Sequence, residues 1–236
     1  MKQLDELYEV IKDSPAYGRK LKENSLRKIV GYFCSYIPEE IIYAAGAHPF
    51  RIFGTGENIR LADAHFQSYC CSLVRGALDG ALSCKLDFLD GVVFPHTCDS
   101  IQRLSDIWRM NVTGSFHIDV VLPVKLDTES AREYMIDVLK KFRTELGEHL
   151  QVEITDEKLK NAIRTFNAIR EYLKKLYKLK AKNPAMINGS DLHAVVKGSM
   201  IMERGHLLEI LPAVVAELRP QMILAPAPGA AVRELP

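Results

Sequence analysis

The sequence has almost no net charge and no long apolar run, and its opening does not read as a secretory leader. Its 31 basic side chains are matched by 30 acidic ones, for a formal net charge of +1, and this balance gives no reason to expect nucleic acid or an anionic membrane as partner. No stretch approaches the ~18 consecutive apolar residues of a membrane-spanning helix. The opening MKQLDELYEVIK is an amphipathic helix of mixed charge rather than a signal peptide, so a cytoplasmic protein is expected. Cysteine is scarce and odd in number: Cys34, Cys70, Cys71, Cys84 and Cys98 all lie in the first hundred residues. Without a secretory signal that pattern argues against a disulfide framework and leaves free thiols or metal ligands. The close Cys-x2–4-Cys pairs of structural zinc sites are missing. GTGEN (Gly54 to Asn58) falls short of the Gly-x-Gly-x-x-Gly dinucleotide fingerprint.

What is present is enough apolar content, 47% of 236 residues, to bury one large core or two small ones. The pattern is organised around Leu89 to Trp108, LDGVVFPHTCDSIQRLSDIW. It predicts a short buried strand over Gly91 to Phe94, a tight loop at Pro95 to Thr97, and Cys98 at the mouth of a helix. Ile101, Leu104, Ile107 and Trp108 share one face of that helix, and Asp99 sits in the first turn, where the helix dipole favours it.

Earlier in the chain, Leu4, Leu7, Tyr8 and Ile11 predict a first helix ended by Ser14-Pro15, with a basic connector after it. A strand over Lys28 to Ser35 follows, then a helix opened by Pro38 and closed by Gly46. His48-Pro49 breaks the chain before a short strand over Phe50 to Phe53. Leu61 to Leu82 is helical with an interruption near Cys70. After Trp108, FHIDVVL (Phe116 to Leu122) predicts another strand, stopped by Pro123. Strands separated by helices argue for an α/β fold with a mainly parallel, Rossmann-like sheet and flanking helices. An all-helical section is expected beyond it, with helices at Ser130 to Leu146, Thr155 to Lys182, Asp191 to Met200 and Glu203 to Leu218, the last kinked at Pro212. The expected organisation is an α/β domain over 1–125, a helical section over 126–218 and a Pro/Ala-rich tail over 219–236.

In a parallel sheet the loops after the strands gather at one edge, where helix N-termini offer free amide groups and stabilise thiolates. The loop at Ser35 to Ile37, the segment around Cys70-Cys71 and the loop His96-Thr97-Cys98 should meet there. Cys71 and Cys98 bracket a helix and a strand, so they either converge on a metal or iron–sulfur centre or serve as small buried residues. Cys34 and Cys84 are accounted for by core filling. His96 either donates to a ligand carbonyl or caps the helix. Glu39 and Glu40 are favoured in the first turn after Pro38 whatever else they do.

Three blocks, GYFCSYIPEEIIYAAGAHPFRIFG (Gly31 to Gly54), QSYCCSLVRGAL (Gln67 to Leu78) and LDGVVFPHTCDSIQRLSDIW, together resemble the family of 2-hydroxyacyl-CoA dehydratase and benzoyl-CoA reductase subunits. The resemblance covers most of Lys28 to about Leu218. It implies a heterodimer subunit built from two sheet-containing domains, with a [4Fe–4S] cluster on three cysteines. Cys71 and Cys98 match the first two cluster ligands. The Ser35, Tyr36, Pro38, Glu39, Glu40 loop matches the segment beside the cluster and acyl-CoA, which makes Ser35 and Glu39 candidate catalytic residues, and His96, next to the Thr97-Cys98 block, joins Ser35 as a candidate hydrogen-bonder to the thioester.

The implied activity is loss of water from a 2-hydroxyacyl-CoA through a ketyl radical, with the electron delivered by an ATP-dependent iron–sulfur activator. The alternatives are a benzoyl-CoA reductase subunit and a non-catalytic CoA-binding or dimerising domain. The family's third cysteine and second sheet domain come later in the chain, whereas no cysteine follows Cys98 here. The third ligand is therefore expected from Cys70, Cys34, Cys84 or a partner subunit, and the second sheet domain is expected to be absent.

Overall fold

The computed structural model describes residues 2–54, 58–185 and 187–218. The tail expected over 219–236 and the middle of GTGEN lie outside the described residues. In chain order the elements are α1 (Lys2–Lys12), α2 (Ser14–Asn24), β1 (Ile29–Tyr32), α3 (Glu39–Ala44), β2 (His48–Arg51), α4 (Ser72–Leu82), β3 (Gly91–Pro95), α5 (Asp99–Asn111), β4 (Phe116–Val120), α6 (Glu129–Leu150), α7 (Asp156–Lys182), α8 (Gly189–Ser199) and α9 (Arg204–Leu218). They form two compact units: residues 13–164, and residues 1–12 with 165 onward. No described helix is long and apolar enough to cross a membrane.

The 13–164 unit holds a four-stranded parallel sheet of order β2-β1-β3-β4. β1 and β3 are buried along their whole length, as parallel strands covered on both faces must be. Val30, Tyr32, Val93, Ile118 and Val120 pack with α3 and with Phe142 and Leu146 of α6 on one face. On the other, Phe33, Phe94 and Trp108 form an aromatic cluster with ring centroids 5.1 to 6.0 Å apart. Each such pair adds about 0.5–1.5 kcal/mol beyond area burial.

Three expectations need correction. The basic segment after the first helix is itself a helix, α2: the Asp13 carboxylate accepts from the Ala16 amide at 2.9 Å, and Pro15 sits in the first turn. A proline there costs no hydrogen bond, so Ser14-Pro15 starts a helix as readily as it ends one. His48-Pro49 does not break the chain but lies inside β2. The amides of His48 and Ile52 donate to the carbonyls of Lys28 and Tyr32, so the intervening odd position has its nitrogen on the open edge, where proline is tolerated. Finally, core filling does not account for Cys34 and Cys84. Cys34 lies past β1 and is half-buried, Cys84 is exposed past the end of α4, and both have left-handed backbone (φ of 55° and 57°) at the turns that end their elements.

In the second unit α1 packs against α8 and α9. Tyr8 donates to Asp191 at 2.7 Å, and Gly198 leaves room for Leu7. Arg204 is fully buried, donates to the carbonyls of Met200 and Met202, and places its guanidinium 5.4 Å from the Phe166 ring centroid. Pro212 lies within α9.

Candidate functional site at the carboxyl edge of the sheet

The strand order puts the reversal of winding between β1 and β3: the chain leaves β1 toward β2 on one side, and β3 toward β4 on the other. In open α/β sheets the crevice at such a reversal, outside the carboxyl ends of the strands, is where ligands bind. The loop after β1, with Ser35 and Tyr36 exposed, and the loop after β3, with His96 and Thr97, flank it here.

Because β2, β3 and β4 are parallel, the helices joining them must start at this same edge and run back. Cys71 is the residue that precedes α4, and Cys98 the one that precedes α5. The two helices pack on each other. Both thiols are free and exposed, and Cys70 is half-buried. Cys71 and Cys98 are thus kept out of the core, each at a helix N-terminus. Among the described residues no three His, Cys, Asp or Glu side chains are grouped so as to hold a metal ion.

A cavity of about 790 Å³ opens beside this edge. Tyr36, His96 and Thr97 line it on the strand side, and Leu122, Val124, Leu126, Met135 and Ile136 form apolar walls from the β4–α6 connection and α6. Val124 and Leu126 are among the most exposed large apolar side chains of the described residues, at 103% and 80%. Ser35, Glu39, Cys71 and Cys98 do not line this cavity. Glu39 accepts a hydrogen bond from the Tyr32 hydroxyl at 2.8 Å, which ties the first turn of α3 to β1.

Behind His96 lies a polar cluster that sequence patterns did not single out. Asp119 on β4 approaches His96 Nε2 at 3.0 Å, accepts from Ser105 Oγ of α5 at 2.5 Å, and lies 3.2 Å from His117 Nε2. His117 Nε2 is also 2.9 Å from Ser105 Oγ, and its ring stacks on Phe94 at 4.6 Å. Burial works to raise the pKa of Asp119, but hydrogen bonds from His117, Ser105 and His96 prevail and hold it well below the usual carboxylate range. The signal was His117 and Asp119 at alternate positions of FHIDV. Read as the solvated face of an edge strand they look ordinary, yet this face is covered by α5, where polar residues require partners.

The family model described as "2-hydroxyglutaryl-CoA dehydratase, D-component" matches residues 34–233. The chain is 31% identical over 189 residues to one of the subunits of the benzoyl-CoA reductase of Thauera aromatica, covering 78% of this chain and 49% of that protein. It is 24% identical over 218 residues to the (R)-phenyllactyl-CoA dehydratase beta subunit of Clostridium sporogenes, covering 92% and 58% respectively. To the beta subunit of the (R)-2-hydroxyglutaryl-CoA dehydratase of Acidaminococcus fermentans it is 25% identical over 203 residues, covering 85% and 52%. The chain thus spans about half the length of the curated relatives it matches.

Proposed function

The chain belongs to the 2-hydroxyglutaryl-CoA dehydratase D-component family, and from that membership we propose that it acts as a subunit of a 2-hydroxyacyl-CoA dehydratase. Its partners in this proposal are an acyl-CoA substrate, a homologous second subunit and an ATP-dependent iron–sulfur activator. The observation that carries the reading is the pair of exposed thiols, Cys71 and Cys98, each at a helix N-terminus on the carboxyl edge of the sheet.

A [4Fe–4S] cluster suits that donor chemistry. Soft thiolates are its ligands, and both thiols are free and exposed. Cys71 and Cys98 supply two ligands. The third position is left to Cys70, Cys34, Cys84 or a residue of the second subunit. When bound, such a cluster supplies single electrons to the thioester, which loosens the 2-hydroxyl and acidifies the β-proton.

This chain's own residues bind and orient. The apolar walls Leu122, Leu126, Met135 and Ile136 take the acyl group and exclude water. Ser35, exposed on the loop after β1, is a hydrogen-bonder to the thioester. Glu39, tied to Tyr32, holds that loop against the sheet.

The test is anaerobic turnover with a homologous second subunit, a reduced activator and ATP. Formation of an enoyl-CoA from a 2-hydroxyacyl-CoA supports the proposal. Reduction of benzoyl-CoA with no dehydration would instead establish the reductase reading, which the 31% identity to a benzoyl-CoA reductase subunit favours as the second choice.

A further inference from the structure

The cluster behind His96 fixes more than its position. A carboxylate has no proton to give, so the 3.0 Å contact between Asp119 Oδ1 and His96 Nε2 requires the hydrogen on Nε2. The same holds next door. Ser105 donates to Asp119, so the Ser105 oxygen accepts from His117 Nε2–H, which it shares with Asp119 Oδ2. His117 Nδ1 is buried with no partner among the described residues. A bare lone pair there costs less than an unsatisfied N–H, which agrees with the Nε2–H form of His117. The contacts thereby place a hydrogen on Nε2 of both histidines, and Asp119 is braced from α5 and β4 independently of any ligand.

The backbone of His96 is fixed as well, because its amide donates to the Val120 carbonyl at 3.0 Å and extends the β3–β4 ladder. With Nε2 engaged, Nδ1 is the ring nitrogen left without a partner among the described residues, on a side chain that lines the 790 Å³ cavity.

We propose that Asp119, braced by Ser105 and His117, is a positioning residue that holds His96 in the Nε2–H tautomer, so that His96 presents Nδ1 to the cavity as an acceptor for a hydroxyl group of the ligand. A neutral imidazole in this arrangement has no free N–H to offer a ligand carbonyl, so of the two roles the sequence left open for His96, donation to a carbonyl is removed and recognition of a donor replaces it. The proposal rests on the dehydratase reading for the identity of the hydroxyl, that of a 2-hydroxyacyl thioester, but not for the tautomer.

The test therefore has two arms. Nitrogen-15 NMR of the imidazoles in the full chain reads the tautomer directly. The expected result is a pyrrole-type Nε2 and a pyridine-type Nδ1 for His96 in the wild type, reversed in Asp119→Asn, whose amide donates where the carboxylate accepted. A wild-type His96 with its proton on Nδ1 overturns the inference, whatever the protein's activity and whether or not the variant folds. In the second arm, the binding of (R)-phenyllactyl-CoA is compared with that of 3-phenylpropionyl-CoA, which lacks the hydroxyl. Asp119→Asn is expected to reduce the preference for the hydroxylated thioester about tenfold, and an unchanged preference overturns the assigned acceptor role. Failure of both thioesters to bind the wild type would overturn the hydroxyl as ligand group and count against the dehydratase reading, while leaving the tautomer result to stand on its own.

Discussion

Gly91→Ala probes the β3–β4 register that places His96 over Asp119. Gly91 pairs with Phe116 across the ladder, and an ideal Cβ at Gly91 would fall 2.2 Å from two carbons of the Phe116 ring. Ordinary carbon contacts begin near ~3.5 Å, so the ring must move by more than about 1 Å. It is not free to do so, because it stacks on His149 of α6 at 4.6 Å and an interplanar angle of 6°. Overpacking of this kind costs about 1–3 kcal/mol, and losing the stack adds about 0.5–1.5 kcal/mol. The reduced backbone freedom of alanine in the unfolded chain returns about 0.4–1 kcal/mol. The net expectation is a loss of about 2 kcal/mol, within a span of about 0.5–4 kcal/mol. Trp108, the single tryptophan, packs on Phe33 and Phe94 in the same unit, so urea unfolding followed by its fluorescence reports on that unit alone. In a Phe116→Ala background the glycine substitution should cost nothing or stabilise slightly. An equal loss in both backgrounds would refute the ring contact as the cause.

Two further predictions concern charge. His206 Nε2 lies 2.7 Å from Glu6, and the bond to Glu6 raises its pKa against a smaller opposing effect of burial. The stabilisation is therefore complete below the ordinary histidine pKa of 6.5 and is lost as pH rises through the higher folded value. Wild type should lose its advantage over Glu6→Gln between mildly acidic and alkaline pH; a constant difference in urea midpoint would contradict this. Asp79 accepts the amides of Arg60, Leu61 and Ala62 at 2.8, 2.7 and 3.1 Å, so Asp79→Ala should cost about 1–3 kcal/mol and speed hydrogen exchange at those amides. Burial opposes but those amides prevail, lowering its pKa. The contribution is present above the unfolded carboxylate pKa of 3.8 and fades as pH falls through the lower folded value. Unchanged exchange in Asp79→Ala would refute the anchoring role.

The strand–loop–helix unit at Gly91 to Asn111 was legible in the sequence because period and capping agree: a fully apolar run, a proline, then Ile101, Leu104 and Trp108 on one buried face. Cys71 and Cys98 were legible as candidates through their motifs, and their helix-capping positions follow from the parallel topology. α2 and β2 were misjudged because proline punctuates differently by context, harmless in a first turn or on an open sheet edge. Asp119, Ser105 and His117 were missed because their significance lies in convergence from β4 and α5. No spacing within either element signals that contact. The cavity likewise depends on the β4–α6 connection, whose apolar residues read locally as an ordinary loop.

Cys71 and Cys98 are proposed as ligands of an iron–sulfur cluster in a dehydratase-family subunit. The most direct measurement is iron and sulfide content, with EPR spectra, of the anaerobically purified protein together with its second subunit. Wild type and Cys84→Ser should carry about four irons and four sulfides per cluster, and Cys71→Ser and Cys98→Ser should each lose most of them and alter the spectrum. Full iron content and an unchanged spectrum in both ligand variants, or no iron in the wild-type complex, would contradict the account.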